Sequence, residues 1–525
     1  MQYQFFTTLK IFCALFLRKR SILLLSIFES EKEIKKKKMN TTLRLSLFSI
    51  FILAVLIGCT SEESDLGEPI QPGVIIPYAI SESGEPVFKD EKIYVNDYSN
   101  LLHAIFMISG NSRDSEYASE AYMPELYPDM MNQRAENWLD LVNMIDLFFH
   151  ENGKFYSYHE KVGRDYKPSG AVDLSVYPHL VYSYHMHHRG DRYDDQILYD
   201  RLSREPSNYL VMPGRYLLDE VLFDGKFLNE DGTVDHKSMS YGLGGVHGHA
   251  YAWIIWAKPG GEDNMGLMPE ESLEAWLNYS TNEMVEMYRS IAEVLDDAWI
   301  QEASIYDFGD GSTWKLDAVG AMIRGKKSMY DMLYMFGTDA DRETAHILFE
   351  RTVSMFEAVN PLVRPWGLPS EIEFTNEGAA PSSDTVDIYD WYQFLNHIGG
   401  GYSFDREREG TAMYITNERE DLFEVIGELS DTALLGALEY HLNSDGRLVS
   451  TVRYDDGAVI DEVLRVSTAG MFITTAGNIY RKGSAFERAS DWGSVSNEVA
   501  GRSRLLYDIK FDHIQLLENS MERLN

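Results

Sequence analysis

Apolar residues recur at three- and four-residue spacing over much of this chain. Ala135–Phe149 sets Trp138, Leu139, Leu141, Val142, Ile145, Leu147 and Phe148 on one broad face, the pattern of an amphipathic helix lying on a core. Leu273–Trp299, Arg342–Val359, Asp421–Leu442 and Gly501–Leu524 read the same way. Strand-like alternation is confined to short pieces such as Arg447–Tyr454. Helical stretches stop at Asn152-Gly153, Asp224-Gly225, Asp310-Gly311, Asn376-Glu377-Gly378 and Asp445-Gly446, with the glycines 72, 86, 67 and 68 residues apart. Glycine after Asn or Asp supplies the positive φ that ends a helix or closes a turn. Beyond these stops come loops and then segments apolar on nearly every side: Val172–His187, Gly245–Trp256, Asp317–Met335 and Thr385–His397. A helix apolar all round is buried between neighbours. Outer helix, turn and buried inner helix, repeated five or six times, predict a mainly α fold with few short strands. The expected architecture is an α/α toroid, a six-hairpin barrel or an incomplete ring.

The N-terminal part has a different pattern. Met39-Asn40-Thr41-Thr42-Leu43-Arg44 precedes the apolar-rich run Leu45–Leu56, and Ile57-Gly58-Cys59 follows. A charged start, an apolar middle and small residues at the cut mark an export signal, and the run is short of the roughly 20 residues a membrane span needs. With Cys59 after the cut, the stretch resembles a bacterial lipoprotein signal. That resemblance implies acylation of Cys59, anchoring in the outer membrane and display at the cell surface. Translation is then expected from Met39, and residues 1–58 are set aside from the fold. Residues 59–85, rich in Gly, Pro, Ser and Glu, read as a flexible tether, and 86–525 as the toroid domain. The acidic Thr60–Asp65 resembles the export tag of surface lipoproteins in Bacteroidetes-type bacteria.

Charge narrows the partners. The chain carries 83 Asp/Glu against 47 Lys/Arg. A cut before Cys59 removes ten basic and three acidic residues, leaving a formal charge of −43. Such a chain is not a non-specific nucleic-acid binder, which needs clustered Lys/Arg. The charge suits saline surroundings, where the screening length falls to about 3 Å at 1 M salt. Only Cys59 of the two cysteines survives the cut, so no disulfide is expected and stability rests on burial. A monomer is expected.

In a toroid the segments entering the inner helices share one end of the ring. They carry Tyr156, Tyr158, His159 and Arg164; Tyr241, His247 and His249 around three glycines; Trp314 and Asp317, with Arg324 further in; and Arg364, Trp366, Tyr389, Trp391, Asn396 and His397. Rings interleaved with planar hydrogen-bonding groups suit a sugar cleft, since pyranose C–H faces stack on rings while hydroxyls take polar edges. Anchor, acidic tag and toroid together resemble a Bacteroidetes glycan-degradation lipoprotein. In style the chain is similar to toroid polysaccharide lyases, including those acting on marine uronate polymers such as ulvan. That resemblance implies an anionic polysaccharide substrate and β-elimination, and no family motif fixes a residue.

In β-elimination a uronate carboxylate is neutralised, a base removes the α-proton and an acid protonates the leaving oxygen. Tyr241, His247, His249, Asn396, His397 and Arg324 are the candidates. His247 and His249 are expected at a helix start, where the dipole favours neutral imidazole. Tyr156, Tyr158, His159, Arg164, Trp314, Arg364, Trp366, Tyr389 and Trp391 are the candidate substrate contacts. Two alternatives stand beside the lyase. A glycoside hydrolase of an acidic polysaccharide would draw its two carboxyls from Asp317, Asp387, Asp390, Glu371 and Glu373, and a glycan-binding lipoprotein would use the aromatics without a base. No cofactor is required. Tyr184–His188 lacks a third zinc ligand by spacing. Asp307–Ser312 lacks the ligand ladder of a calcium hand, though a bound calcium remains compatible with it.

Overall fold

The computed structural model describes residues 74–89, 91–109, 153–163, 165–178, 213–247, 279–399 and 440–475, with positions within 425–439 and 512–523. All lie in one compact unit, Gly67–Asn525. Cys59, Arg164, His249, the helix expected at Ala135–Phe149 and the histidines of 185–188 fall outside the described residues.

Buried helices form the centre. They are α1 (Val95–Ser109), α2 (His236–Gly245), α4 (Leu316–Phe336) and α6 (Ile388–Gly399), together with α7 (466–475) and the start of a sixth segment at 174–178. Residues 316–333 of α4 are buried on every side, as an apolar-all-round pattern requires. Outside them lie α3 (Thr281–Ala298) and α5 (Asp339–Val359). On α3 the buried residues Met284, Val285, Tyr288, Ile291, Ala292 and Leu295 form one face. Capping boxes start both helices, Ser280 with Glu283 and Thr338 with Asp341, each satisfying backbone N–H groups that would otherwise lack partners.

The order of neighbours closes a ring. Segment 174–178 packs on α2, where Cβ atoms on Gly244 and Gly245 would strike Pro178 and Tyr177. Helix α2 packs on α4 through Leu243 and Gly325, and α4 on α6 through Gly320 and His397. Thr475 of α7 donates to the Tyr392 carbonyl of α6 (2.9 Å), and Gly470 of α7 lies against Asn100 of α1. Glycine at these crossings removes the side chain that would hold the backbones apart.

Among the described residues, four three-stranded antiparallel sheets rim one end. In β4-β5-β6 (Lys92–Tyr94, Tyr156–Val162, Asp165–Val172), β4 runs into α1 and β6 into segment 174–178, spanning the last junction of the ring. The others are β11-β12-β13 (Thr313–Lys315, Glu371–Thr375, Gly378–Pro381), β14-β15-β16 (Thr385–Asp387, Thr451–Arg453, Val459–Asp461) and β17-β2-β3 (Leu464–Arg465, Ala79–Ile80, Pro86–Val87). Each joins the strand entering one inner helix to the hairpin that leads toward the next. The pairing of β17 with β2 brings the C-terminal repeat onto the start of the domain, and two-stranded pairs are β1-β18 (Val74–Ile75, Glu522–Arg523), β7-β8 (Leu222–Phe223, Lys226–Phe227) and β9-β10 (Trp299–Ile300, Ile305–Tyr306). The fold is an α/α toroid.

Two expectations change. Strands are more numerous than the alternation pattern indicated, because each is only two to eight residues long and leaves little periodicity to read. The segment around Gly242–Gly245 is helix rather than loop. Asp235 caps it in a reciprocal box with Ser238, and its glycines face Phe227, Ala321 and Tyr177 at close approach.

Candidate active site

At the strand-to-helix junctions, apolar side chains on both sides of a polar residue anchor the chain. Ile93 and Val95, Trp314 and Leu316, Val386 and Ile388, and Leu464 and Val466 are all buried. Residues between and just after these anchors gather at the mouth of the ring: Asn96 and Asp97 on α1, Lys315 and Asp317 at α4, Asp387, Tyr389 and Asp390 at α6, and Arg465 before α7.

The mouth is a carboxylate cluster with phenols. The Tyr241 hydroxyl donates to Asp317 Oδ2 (2.7 Å), and the Ala318 N–H donates to Asp317 Oδ1 (2.8 Å). Asp387 Oδ1 accepts from the N–H groups of Tyr389 (2.9 Å) and Asp390 (3.3 Å), and Arg465 stands 3.7 Å from Asp387 Oδ2. The Tyr389 hydroxyl donates to Asn96 Oδ1 (2.9 Å), linking α6 to α1. Asp97 Oδ1 accepts from the Ser467 N–H (3.1 Å), while its buried Oδ2 meets no hydrogen-bond donor among the described residues.

These environments are unequal. Burial pushes Asp390 well above the usual carboxylate range, and repulsion from Asp317 and Asp387 pushes it further, with Lys315 and Arg465 opposing. Burial also raises Asp317, but the Tyr241 hydroxyl and Lys315 hold it down. Asp387 is raised by burial and held down by Arg465 and two backbone N–H groups. All three carboxyls are thus raised, Asp390 well above its ordinary value, while hydrogen bonds on Asp317 and Asp387 favour their charged forms. Burial raises Asp97 to about 7. Both phenols are pushed above their ordinary value by burial, Tyr241 also by Asp317 and Tyr389 also by Asp390, so neither phenolate is favoured.

The imidazoles lie elsewhere. His397 and Asn396 are in the third turn of α6 and Arg324 is two turns into α4, all buried, with Arg324 Nη1 3.3 Å from His397 Nδ1. His247, also buried, bonds the Ser328 hydroxyl one turn further along α4. Arg324 and His397 do meet, therefore, but in a buried layer below the mouth. His247 comes after the turn at Val246 that closes α2 and is itself helical, and the residues after it lie outside the described ones.

Among the expected substrate contacts, Trp314, Trp391 and His159 are fully buried and present no open ring face. Trp314 stacks on His236, whose Nδ1 bonds Asp310 at 2.5 Å; that bond ties the 307–312 turn to the start of α2. Tyr156 and Tyr158 are half-buried on β5, and Tyr389 is half-buried at the mouth. Exposed Arg364 lies over Tyr454 and Trp366 packs on Tyr440, a rim group beside β15. Glu371 and Glu373 pair across strands with Lys315 and Thr313. Asp97, Asn96 and Arg465 went unnoticed in the sequence. A signal exists: Val172-Asp173-Leu174, Trp314-Lys315-Leu316, Val386-Asp387-Ile388 and Leu464-Arg465-Val466 repeat an apolar–polar–apolar alternation at inner-helix starts, and Ile93-Tyr94-Val95 resembles them just before Asn96 and Asp97.

Among the described residues no His/Cys/Asp/Glu group is placed to hold a metal ion, and no helix is long and apolar enough to cross a membrane. No family model matches the sequence, and no curated protein does. Among solved structures the chain is similar to a cellobiose 2-epimerase from Bacillus thermoamylovorans (12% identity, 77% of this chain and 92% of that one, TM-score 0.43). It is also similar to a sugar epimerase from a ruminal bacterium (12%, 78% and 96%, TM-score 0.44). An endo-β-1,2-glucanase from Talaromyces funiculosus in complex with sophorose follows (12%, 83% and 84%, TM-score 0.37). At these scores the likenesses carry no chemistry to this chain, and the toroid stands on its own contacts.

Proposed function

We propose that this protein is a carbohydrate-active enzyme that hydrolyses glycosidic bonds of an acidic polysaccharide at the mouth of the toroid. The observation that carries the reading is the unequal carboxyl cluster. Glycoside hydrolysis needs one carboxyl that holds its proton to protonate the leaving oxygen, and a second, ionised one to activate water or attack the sugar. Asp390 fits the acid. Asp317, with two donors on its carboxylate, fits the ionised partner, and Asp387 with Arg465 holds the charge balance. The two phenols give their protons to Asp317 and Asn96, which leaves their oxygens to accept hydrogen bonds from sugar hydroxyls.

The second reading is β-elimination at a uronate, supported by Arg324 against His397 with Asn396 alongside. That layer offers the cationic and planar groups a uronate carboxylate needs, but it is buried, and the mouth above it is acidic. Acylation of Cys59 and display on the outer membrane belong to the same proposal, since a surface enzyme would act on polymer too large to import.

The test is release of reducing ends from acidic polysaccharides by the wild type, Asp390→Asn and Asp317→Asn. A general acid contributes about 10²- to 10⁴-fold, and losses of that size in both variants are expected. Wild-type rates in both would place the chemistry elsewhere.

A further inference from the structure

Beside the mouth, where the C-terminal repeat meets the start of the domain, lies a row of tyrosines served by lysines. Tyr94 and Tyr158 are direct cross-strand partners in β4 and β5, with ring centres 5.7 Å apart. Tyr78 follows at 5.5 Å from Tyr94. All three are half-buried, with part of each side chain open to solvent. Lys89 Nζ lies 4.7 Å from the centre of Tyr78 and 5.5 Å from that of Tyr94, and Lys92 Nζ lies 4.4 Å from Tyr158. Neither lysine forms an ion pair among the described residues, although the chain as a whole carries a formal charge of −36.

The row is locally built. A register shift between Tyr156 and Tyr158 re-aims Tyr158, which is what a bulge does. Gly170, at φ +82°, leaves the space its ring fills, since a Cβ there would come 3.0 Å from Tyr158 Cε1. The row also continues into the mouth. The Val466 N–H donates to the Tyr78 carbonyl, the next residue caps Asp97, and the charge of Lys89 acts on the Asp97 carboxyl.

We infer that Tyr78, Tyr94 and Tyr158 with Lys89 and Lys92 form a binding subsite for the acid-bearing units of an anionic polysaccharide, adjoining the mouth. The inference rests on the glycan reading above and adds to it the site that recognises charge. An ammonium held over a ring at an exposed site gains little. A carboxylate or sulfate draws it off the ring into a charge-assisted hydrogen bond, and the uncovered ring face takes the C–H face of the sugar. The acid groups of the polymer are thereby held at the rim while the bond to be cleaved lies among the carboxyls, where an anionic unit would be repelled.

The test is affinity electrophoresis of the full-length protein in gels containing polygalacturonate, dextran sulfate or neutral dextran. Retardation of the wild type is expected in the carboxylate gel, the sulfate gel or both, identifying the acid group, and not in neutral dextran. Lys89→Gln/Lys92→Gln and Tyr94→Ala should each weaken it about tenfold with unchanged circular dichroism, and salt should abolish it. Asp390→Asn should retain the retardation. If Asp390→Asn hydrolyses at the wild-type rate, the reading of the mouth fails while the subsite is still judged by retardation. Equal migration of the wild type and the double lysine variant in both anionic gels, or equal retardation in neutral dextran, would overturn the subsite.

Discussion

Gly325→Ala puts a methyl group at the crossing of α2 and α4. On propensity alone alanine should stabilise the helix, by about 1 kcal/mol. The new Cβ, however, would sit 2.6 Å from the Leu243 carbonyl carbon and 2.8 Å from the Gly244 nitrogen. Both are backbone atoms, so no side chain can swing away, and ordinary contact begins at 3.4 Å. The helices must part by about 0.8 Å, a gap that forfeits a quarter to a half of each dispersion contact across it. Retreat of α2 is blocked on its other sides, where Gly242 and Gly245 already lie against Phe227 and Tyr177. Overpacking costs typically about 1–3 kcal/mol, and the rigid surroundings place this case at the upper end, for a net loss of about 2 kcal/mol. Equilibrium urea unfolding followed by tryptophan fluorescence should show a lower midpoint at unchanged slope. A midpoint equal to or above wild type would mean that the inner helices do not meet at Gly325, and the ring order would be wrong there.

Two further predictions concern pH, with opposite signs. Asp341 is held well below the usual carboxylate range by Arg289, which donates from Nε (2.6 Å) and Nη2 (2.7 Å), and by the Thr338 cap. Its stabilisation is present above the ordinary carboxylate pKa of about 4 and is lost as pH falls below it. Asp341→Ala should therefore cost about 2–3 kcal/mol near neutrality, with the difference shrinking in acid urea titrations. Asp97 is raised to about 7 by burial, against Ser467, Arg465 and Lys89. Its protonated form favours the fold below the ordinary carboxylate pKa, and that contribution is lost as pH rises through 7. Asp97→Asn mimics the protonated form, so it should match wild type in acid and exceed it at pH ~8 by up to about 4 kcal/mol; equal stability at both pH values would refute the burial argument.

The buried inner helices are legible from sequence because their pattern is strong. The expected Asp317–Met335 is found as Leu316–Phe336, and Thr385–His397 as Ile388–Gly399 preceded by a strand. The punctuating glycines are informative too. Gly153, Gly225, Gly311, Gly378 and Gly446 all have positive φ. Gly225 and Gly378 turn the hairpins Leu222–Phe227 and Glu371–Pro381, and Gly446 turns the loop closed by the Leu442–Leu448 bridge, where strands too short to show a period stand. Helix α2 is the main misreading. Glycine's poor helix propensity argues for a loop, and the reason for it, close approach to neighbours on several sides, is visible only in three dimensions. Tyr241 and Asp317 are both legible as candidates, but their hydrogen bond depends on the packing of α2 against α4. In so acidic a chain no single aspartate stands out, and only convergence at the mouth separates Asp317, Asp387 and Asp390 from solvated charge.

The central claim is that unequal carboxyls at the mouth cleave glycosidic bonds by hydrolysis. The most direct measurement follows reducing ends and the ultraviolet absorbance of unsaturated uronate together, in one digest of an acidic polysaccharide, for wild type and Asp390→Asn. The account predicts new reducing ends without unsaturated product from the wild type, and loss of the reducing-end signal in the variant. Unsaturated product from the wild type, persisting undiminished in Asp390→Asn, would contradict it and move the chemistry to the buried layer of Arg324 and His397.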